Sequence, residues 1–447
     1  MKKQKNMKRR ITLLLLLGLI SLSAAAQYVP TQENLDARRK FEGFRFGIFI
    51  HWGIYAEFAQ GEWYLETGGL DGQEYAKAAS CFYPIRFNAK EWVEAFKSSG
   101  AKYVTFTSRH HDGFSMWPTK ESKYNIVDAT PFKRDVVGEL AEACADGGLS
   151  LHLYYSTLDW SRTDYPLGRT GLKNGRTMQP DFDHYMQFMK NQCRELLTKY
   201  PNVEALWFDG NWDHDSDATP FDWRMPEFYS YLHSVKPSVL LGNNHHSDII
   251  EGEDYQMFER DVPGENTAGF SEGQKVSKLP LEMCQTMNGA WGYRVNDLNY
   301  KSVDELVQLI VRCASKGANL LLNIGPQPNG ELPRTAINRL HGIGQWMHAY
   351  GETIYGTQRG PIAESAWGVS TLLPAQDKKQ PARLFLHVTE RSACHIDIPC
   401  QKKPAQVVDF ITRDPLKSYF NKKAQTLTIE LPEHDALPDY VMEVIEK

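Results

Sequence analysis

Cysteine is sparse in this chain. The seven, at 81, 144, 193, 284, 313, 394 and 400, are odd in number and scattered over 447 residues. They supply neither a disulfide framework nor metal-ligand spacing, and only Cys394 and Cys400 invite pairing, on condition that their strands lie side by side. Charge of one sign is lacking too. The formal net charge is −5, and no stretch gathers lysine and arginine among aromatics, which argues against a nucleic-acid partner. Internal repeats and low-complexity tracts are absent beyond the first residues, so a solenoid is excluded. The apolar run Ile11–Ile20 is too short to span a bilayer.

That run follows a basic start, Met1 to Arg10, and precedes Ala24-Ala25-Ala26. Together they read as a secretory signal peptide, residues 1–26, cut after Ala26. No cysteine at the cleavage site suggests a lipoprotein. The expected product is an exported, periplasmic or secreted chain of about 420 residues, long enough for a barrel plus an accessory domain. What the chain has in plenty is aromatic residues, 12 % of the total, many beside polar ones, which suits flat sugar faces as well as cores.

From about residue 40 to 355, short apolar runs alternate with longer amphipathic stretches. Gly47–Ile50, Tyr103–Phe106, Ser150–Tyr154, Ala205–Phe208, Val239–Leu241 and Asn319–Asn323 read as strands. Ala89–Lys97, Arg134–Gly147, Phe182–Lys199 and Val303–Lys316 carry helical spacing. This alternation indicates a parallel sheet, most simply an irregular (β/α)8 barrel over residues 27–355. Residues 356–447 change texture: six short, often alternating runs separated by Pro, Lys and Asp turns predict a small antiparallel β-sandwich.

Glu204-Ala-Leu-Trp-Phe-Asp-Gly210 is the most telling segment, an apolar run that stops on one carboxylate, Asp209. Asp-Gly is also a common turn, so this signal alone decides nothing. Other runs end in the same manner, however: at His51-Trp52, at His110-His111-Asp112, at Tyr154-Tyr155-Ser156 and at Trp207-Phe208-Asp209. In a barrel these ends converge on one face. A lone histidine there is ordinarily structural, but this gathering of histidines, aromatics and a carboxylate favours a sugar pocket. The adjacent His110 and His111 diverge on an extended backbone and lack a metal-binding motif, so hydroxyl recognition is preferred to metal ligation.

The ordered set His51-Trp52-Gly53, Glu62-Trp63-Tyr64, His110 to Phe114, Tyr154 to Ser156, Trp207 to Asp209, Trp291-Gly292-Tyr293 and Gly317 to Pro326 resembles the α-L-fucosidases of glycoside hydrolase family 29. The resemblance runs from about residue 30 to the end. It implies an irregular barrel, a retaining mechanism, no cofactor and a fucosylated oligosaccharide or glycoconjugate as substrate. Asp209 matches the family's nucleophile. His51, Glu62, Trp63, His110, His111, Tyr154 (preferred to Tyr155) and Trp207 match fucose-binding positions. Where many members carry an arginine, this chain has Asn243-Asn244-His245, so the polar contact is expected from His245 or its neighbours.

A retaining glycosidase needs a second carboxyl group ~5–5.5 Å from the nucleophile. The resemblance places Glu259 there, in a loop after the sixth strand, with Glu282 as the runner-up and more suited to supporting the pocket. Linkage preference is assigned to loops on the leaving-group side, Asp159 to Thr177 and Val262 to Lys278. The rival reading is a fucose-binding protein without catalysis, against which Asp209 at its strand end argues.

Overall fold

The computed structural model describes residues 28–166, 168–377 and 380–446; the expected export segment, 1–26, lies outside them. Eight parallel strands form the first sheet: β1 (Phe46–Ile50), β2 (Tyr103–Arg109), β3 (Ser150–Ser156), β4 (Val203–Asp209), β5 (Leu240–Asn244), β6 (Gln256–Glu259), β7 (Leu281–Thr286) and β8 (Ala318–Ile324). The hydrogen-bonded order is β5-β4-β3-β2-β1-β8-β7-β6. Strands are thus neighbours in chain order, β8 returns to β1, and the ladder is interrupted only between β5 and β6. This is the irregular (β/α)8-type barrel expected.

Alternation along each strand divides the core in two. Ile48, Val104, Phe106, Leu151, Leu153, Leu206, Phe208, Leu320 and Leu322 join the layer that packs against the helices. Phe49, Tyr103, Tyr154, Trp207, Met257 and Leu321 fill the barrel interior. Every one of these side chains is buried, which is why the strands read as continuous apolar runs rather than as alternating ones.

The outer layer comprises α2 (Ala89–Ser98), α3 (Val136–Gly147), α4 (Phe182–Lys199), α5 (Met225–Val235), α6 (Val303–Ser315) and α7 (Arg334–Tyr350), while α1 (Gln32–Glu42) precedes β1. Their starts are chemically marked. Asn88 accepts from the backbone N–H groups of Lys90 and Glu91, Asp181 from His184, and Ser302 with Glu305 forms a reciprocal capping box. Helix α1 closes the barrel: Phe41 packs on Tyr103 at 5.4 Å, on Tyr255 at 4.8 Å and on His152 at 5.5 Å.

The seam between β5 and β6 has its own fastening. Asp254 N–H donates to the Leu241 carbonyl at 2.7 Å, and Leu241 N–H donates to the Asp254 carboxylate at 2.7 Å. The Tyr255 ring lies over Gly242, where a Cβ would meet it at 2.5 Å; only glycine lets the two strand ends approach. Arg38 of α1 reaches Asp254 through Nε at 3.1 Å and Nη2 at 2.7 Å, so the helix that closes the barrel also clamps its seam.

Residues from 358 onward build two antiparallel sheets. One has the order β13 (Gln406–Asp409), β16 (Tyr440–Ile445), β11 (Arg383–Val388), β10 (Gly368–Leu373), β9 (Gln358–Arg359); the other has β12 (His395–Pro399), β15 (Thr426–Glu430), β14 (Ser418–Asn421). Leu386, Met442 and Val444 from the first meet Ile396, Ile398, Leu427 and Ile429 from the second. Strand β12 alternates exposed and buried residues, the pattern of a strand with one wet face. Cys394 and Cys400 flank this single strand rather than lying on neighbouring ones, and both are free. The condition for their pairing therefore fails. Among the described residues no helix is long and apolar enough to cross a membrane.

Asp254 is fully buried and Arg38 is 14% exposed, and removing the arginine's partner also leaves the Leu241 N–H without its acceptor. Asp254→Ala should cost about 3–5 kcal/mol of stability, read as a lower urea midpoint at unchanged slope. A loss below about 1 kcal/mol, the worth of an exposed pair, would show that the seam does not depend on it.

Candidate active site

The period of two that sorts the core also selects the residues of the pocket. Counting in twos along β4 from Ala205 leads to Trp207 and then Asp209; along β3, from His152 to Tyr154 and Ser156; from Tyr255, just before β6, to Met257 and Glu259. Asp209 and Glu259 are the last residues of their strands. Glu259 therefore stands at a strand end and not in the loop expected for it. The two tyrosines of β3 part accordingly. Tyr154 points inward and its hydroxyl donates to Asp209 Oδ2 at 3.0 Å, while Tyr155 points outward and donates to Gln192 of α4 at 2.8 Å.

The resulting cavity, about 460 Å³, is lined by His51, Glu62, Trp63, His110, His111, Tyr154, Trp207, Asp209 and Glu259, all drawn from the expected set. His245 is not among them. Its Nε2 is turned to Glu253 at 2.9 Å and its Nδ1 to Ser247, because β5 ends at Asn244 and the next side chain falls on the outer side. Its neighbours Asn244 and His246 line the cavity instead. Asn244 was legible as the inward residue at the end of β5, had that strand been extended beyond Leu241. Arg169, Trp212, Arg260, Phe270 and Trp291 also line it. Of these, Trp212 lies one turn after Asp209 and Arg260 directly follows Glu259, whereas Arg169 and Phe270 come from loops that carry no pattern.

Asp209 is held from both sides. Trp212 Nε1 donates to Oδ1 at 2.8 Å, opposite Tyr154 on Oδ2, and the Thr157 amide and hydroxyl bind its backbone carbonyl at 2.7 and 2.8 Å. Glu62 accepts from the Gly292 N–H at 2.7 Å. A Cβ at Gly292 would stand 2.9 Å from the Glu62 nitrogen, so glycine is required for that approach. Trp63 stacks on Trp212 with ring centres 5.6 Å apart, and His110 on Tyr154 at 5.3 Å.

Hydrogen bonding fixes the histidine tautomers. Ser156 spends its one proton on the Leu158 carbonyl at 2.6 Å, so at 2.7 Å it must accept from His111 Nδ1–H. Asn323 donates its amide to the Trp291 carbonyl, leaving its oxygen to accept from His51 Nδ1–H at 2.6 Å. Both rings therefore present an Nε2 lone pair to the cavity, and that of His111 stands 3.6 Å from Asp209 Oδ2. Burial holds His51 down to about 3 and His110 and His111 well below the ordinary histidine range, so all three are neutral. Two neutral acceptors and an acidic floor suit the hydroxyl groups of a sugar. Among the described residues no group of three or more His, Cys, Asp or Glu side chains is arranged to hold a metal ion.

The carboxyl groups differ in setting. Burial, and next the charge of Glu259, lift Asp209 to about 6 against the pull of its two donors. At Glu259 burial again acts upward, but His246 Nε2 at 3.0 Å and Asn244 Nδ2 at 2.8 Å, both on Oε2, outweigh it and hold the group below the usual range. Glu282 is wholly buried, with Oε1 taking the Trp207 indole N–H at 2.7 Å and Oε2 the Tyr103 hydroxyl at 2.6 Å. Burial raises it to about 7. It lies beneath the cavity and orients Trp207 rather than lining the space above.

Comparison with known proteins identifies the family. The family model described as "Alpha-L-fucosidase" matches residues 16–352. An α-L-fucosidase from Branchiostoma floridae is 32% identical over 377 residues, 77% of this chain and 79% of that protein. Among solved structures, α-L-fucosidase isoenzyme 1 from Paenibacillus thiaminolyticus superposes with a TM-score of 0.79 at 29% identity, covering 93% of this chain and 100% of that one. A family 29 α-L-fucosidase from Bacteroides thetaiotaomicron, trapped as a covalent intermediate with 2-fluoro-fucosyl fluoride, superposes with a TM-score of 0.78 at 26% identity over 93% and 99% of the two chains. With its barrel, its antiparallel sheets and its pocket of strand-end residues, this chain belongs to the α-L-fucosidase family, glycoside hydrolase family 29.

Proposed function

We propose that this protein is an exo-acting, retaining α-L-fucosidase that removes terminal α-linked fucose from an oligosaccharide or glycoconjugate. The observation that carries the reading is the presence of two carboxylates, Asp209 and Glu259, ending two inward-facing strand registers in one cavity of about 460 Å³. Asp209, fixed by Tyr154 and Trp212, attacks the anomeric carbon and forms a glycosyl ester as the aglycone departs. Glu259 gives its proton to the departing oxygen and later takes one from the water that opens the ester. Its Oε2 is occupied by His246 and Asn244, so Oε1 is the atom available for this transfer.

Neutral His51 and His111 accept from fucose hydroxyls through Nε2, and His110 and Glu62 complete the polar shell. Trp63 and Trp207 supply apolar surface. The relative trapped as a fucosyl intermediate supports a covalent route. The start of the chain, residues 1–26, supports export. The rival, a fucose-binding protein without catalysis, is distinguished by turnover of a chromogenic aryl α-L-fucoside, which only the enzyme performs.

Asp209→Asn should abolish aryl fucoside turnover while leaving the melting temperature near that of the parent, since the amide is nearly isosteric but cannot form the ester. Retention of more than a small fraction of the activity would remove Asp209 from the role.

Glu259→Ala should accumulate the ester on an aryl substrate with a good leaving group, lowering both kcat and KM. Added azide should accelerate it and yield β-fucosyl azide. Glu282→Ala should weaken all substrates to a similar degree with no azide effect, and the opposite pattern would exchange the two roles.

The pair acts with one proton between its members, because with none there is no acid and with two there is no nucleophile. In the sugar-free enzyme that proton leaves near 6, the value to which burial and Glu259 raise Asp209. On an unactivated oligosaccharide, kcat/KM should therefore fall by about tenfold per pH unit above 6. A profile that rises through 6 would contradict the assignment.

A further inference from the structure

Beside the fucose cavity lies a second hollow of about 470 Å³, and His246 lines both. We propose that this groove is a binding site for the second and later sugars of the aglycone, so that the enzyme is built for fucose on an extended oligosaccharide. The inference rests on the fucosidase reading and deepens it.

Its first support is the direction in which the aglycone must leave. The glycosidic oxygen has to meet Glu259, whose Oε2 is held at 3.0 Å by His246. His246 lines both hollows, so a sugar attached through that oxygen can continue along the wall that His246 shares with the groove. The second support is the backbone. His246 adopts φ 58°, the left-handed region in which a histidine is uncommon, directly after His245 has turned away to Glu253. That turn sets the His246 ring on Phe270, with centres 5.1 Å apart, in the wall between the two hollows. Strain retained at such a place is a pointer to function.

The third support is the chemistry of the lining. Phe221 and Trp223 stand edge to face at 5.0 Å, and Asp215, Arg224 and Ser247 join them around the hollow. Phe221 keeps one face on the His214 ring at 4.1 Å and Trp223 is buried, so half-buried Phe221 is the ring that offers apolar surface, beside a carboxylate, a guanidinium and a hydroxyl of the kind that suit a sugar chain. The residues come from 211–226 and 245–250. Those are the connections leading out of β4 and β5, and they differ from the two loops that sequence reasoning assigned to the leaving-group side.

The experiment compares kcat/KM for an aryl α-L-fucoside, a fucosyl disaccharide and a fucosyl tetrasaccharide of the same linkage. The parent enzyme should prefer the tetrasaccharide to the disaccharide by about 3- to 10-fold, the worth of one aromatic contact. Phe221→Ala, which removes a wall, and Ser247→Trp, which fills the groove from an exposed position, should each abolish that preference with aryl hydrolysis unchanged. Equal rates on the two oligosaccharides with the parent, or a preference that survives Ser247→Trp, would overturn the groove. Absence of aryl turnover in the parent would instead overturn the fucosidase reading itself.

Discussion

Adjacent side chains on a strand point to opposite faces, and in a closed parallel sheet one face is the barrel interior and the other the helical layer. Everything at the pocket depends on that constraint. It sends Tyr154 to Asp209 and Tyr155 to Gln192, and it brings Asp209 and Glu259 to the same cavity although fifty positions separate them in the numbering. A slip of one residue in β4 would exchange Asp209 for Phe208 and put a phenyl ring where the carboxylate stands.

Closure of the sheet also sets the electrostatics. Interior groups are withdrawn from water, so the histidines are kept neutral and Asp209 is raised. Only Glu259, answered by His246 and Asn244, escapes the upward pull. Of the two carboxyl groups, Asp209 is thus the one that holds a proton to the higher pH.

The barrel is least regular between β5 and β6, where no helix intervenes and two hydrogen bonds between Asp254 and Leu241, one of them to the Asp254 carboxylate, replace a ladder. Freed from packing a helix, the chain there turns His246 into the wall of the cavity and leaves space beside it. Irregularity and specificity occupy the same stretch because a connection that does not have to bury an apolar stripe is free to present polar and aromatic groups to a ligand.

The sequence by itself determined the class of fold, six of the eight barrel strands and four of the helices, because long apolar runs and helical spacing are local signals, while nine of the residues that line the cavity were legible through the family resemblance of its motifs. Strands β6 and β7 escaped notice: β6 is four residues long, and the apolar character of β7 is broken by Glu282 and Gln285. Glu282 belongs in a strand only because Tyr103 and Trp207, from β2 and β4, satisfy its two oxygens. Tertiary structure alone decided that His246 and not His245 faces the pocket, that Glu259 ends a strand, and that Arg169 and Phe270 line the same cavity as Asp209. Each of those facts turns on where a strand stops or how a loop folds back, and such outcomes are settled by partners distant in sequence.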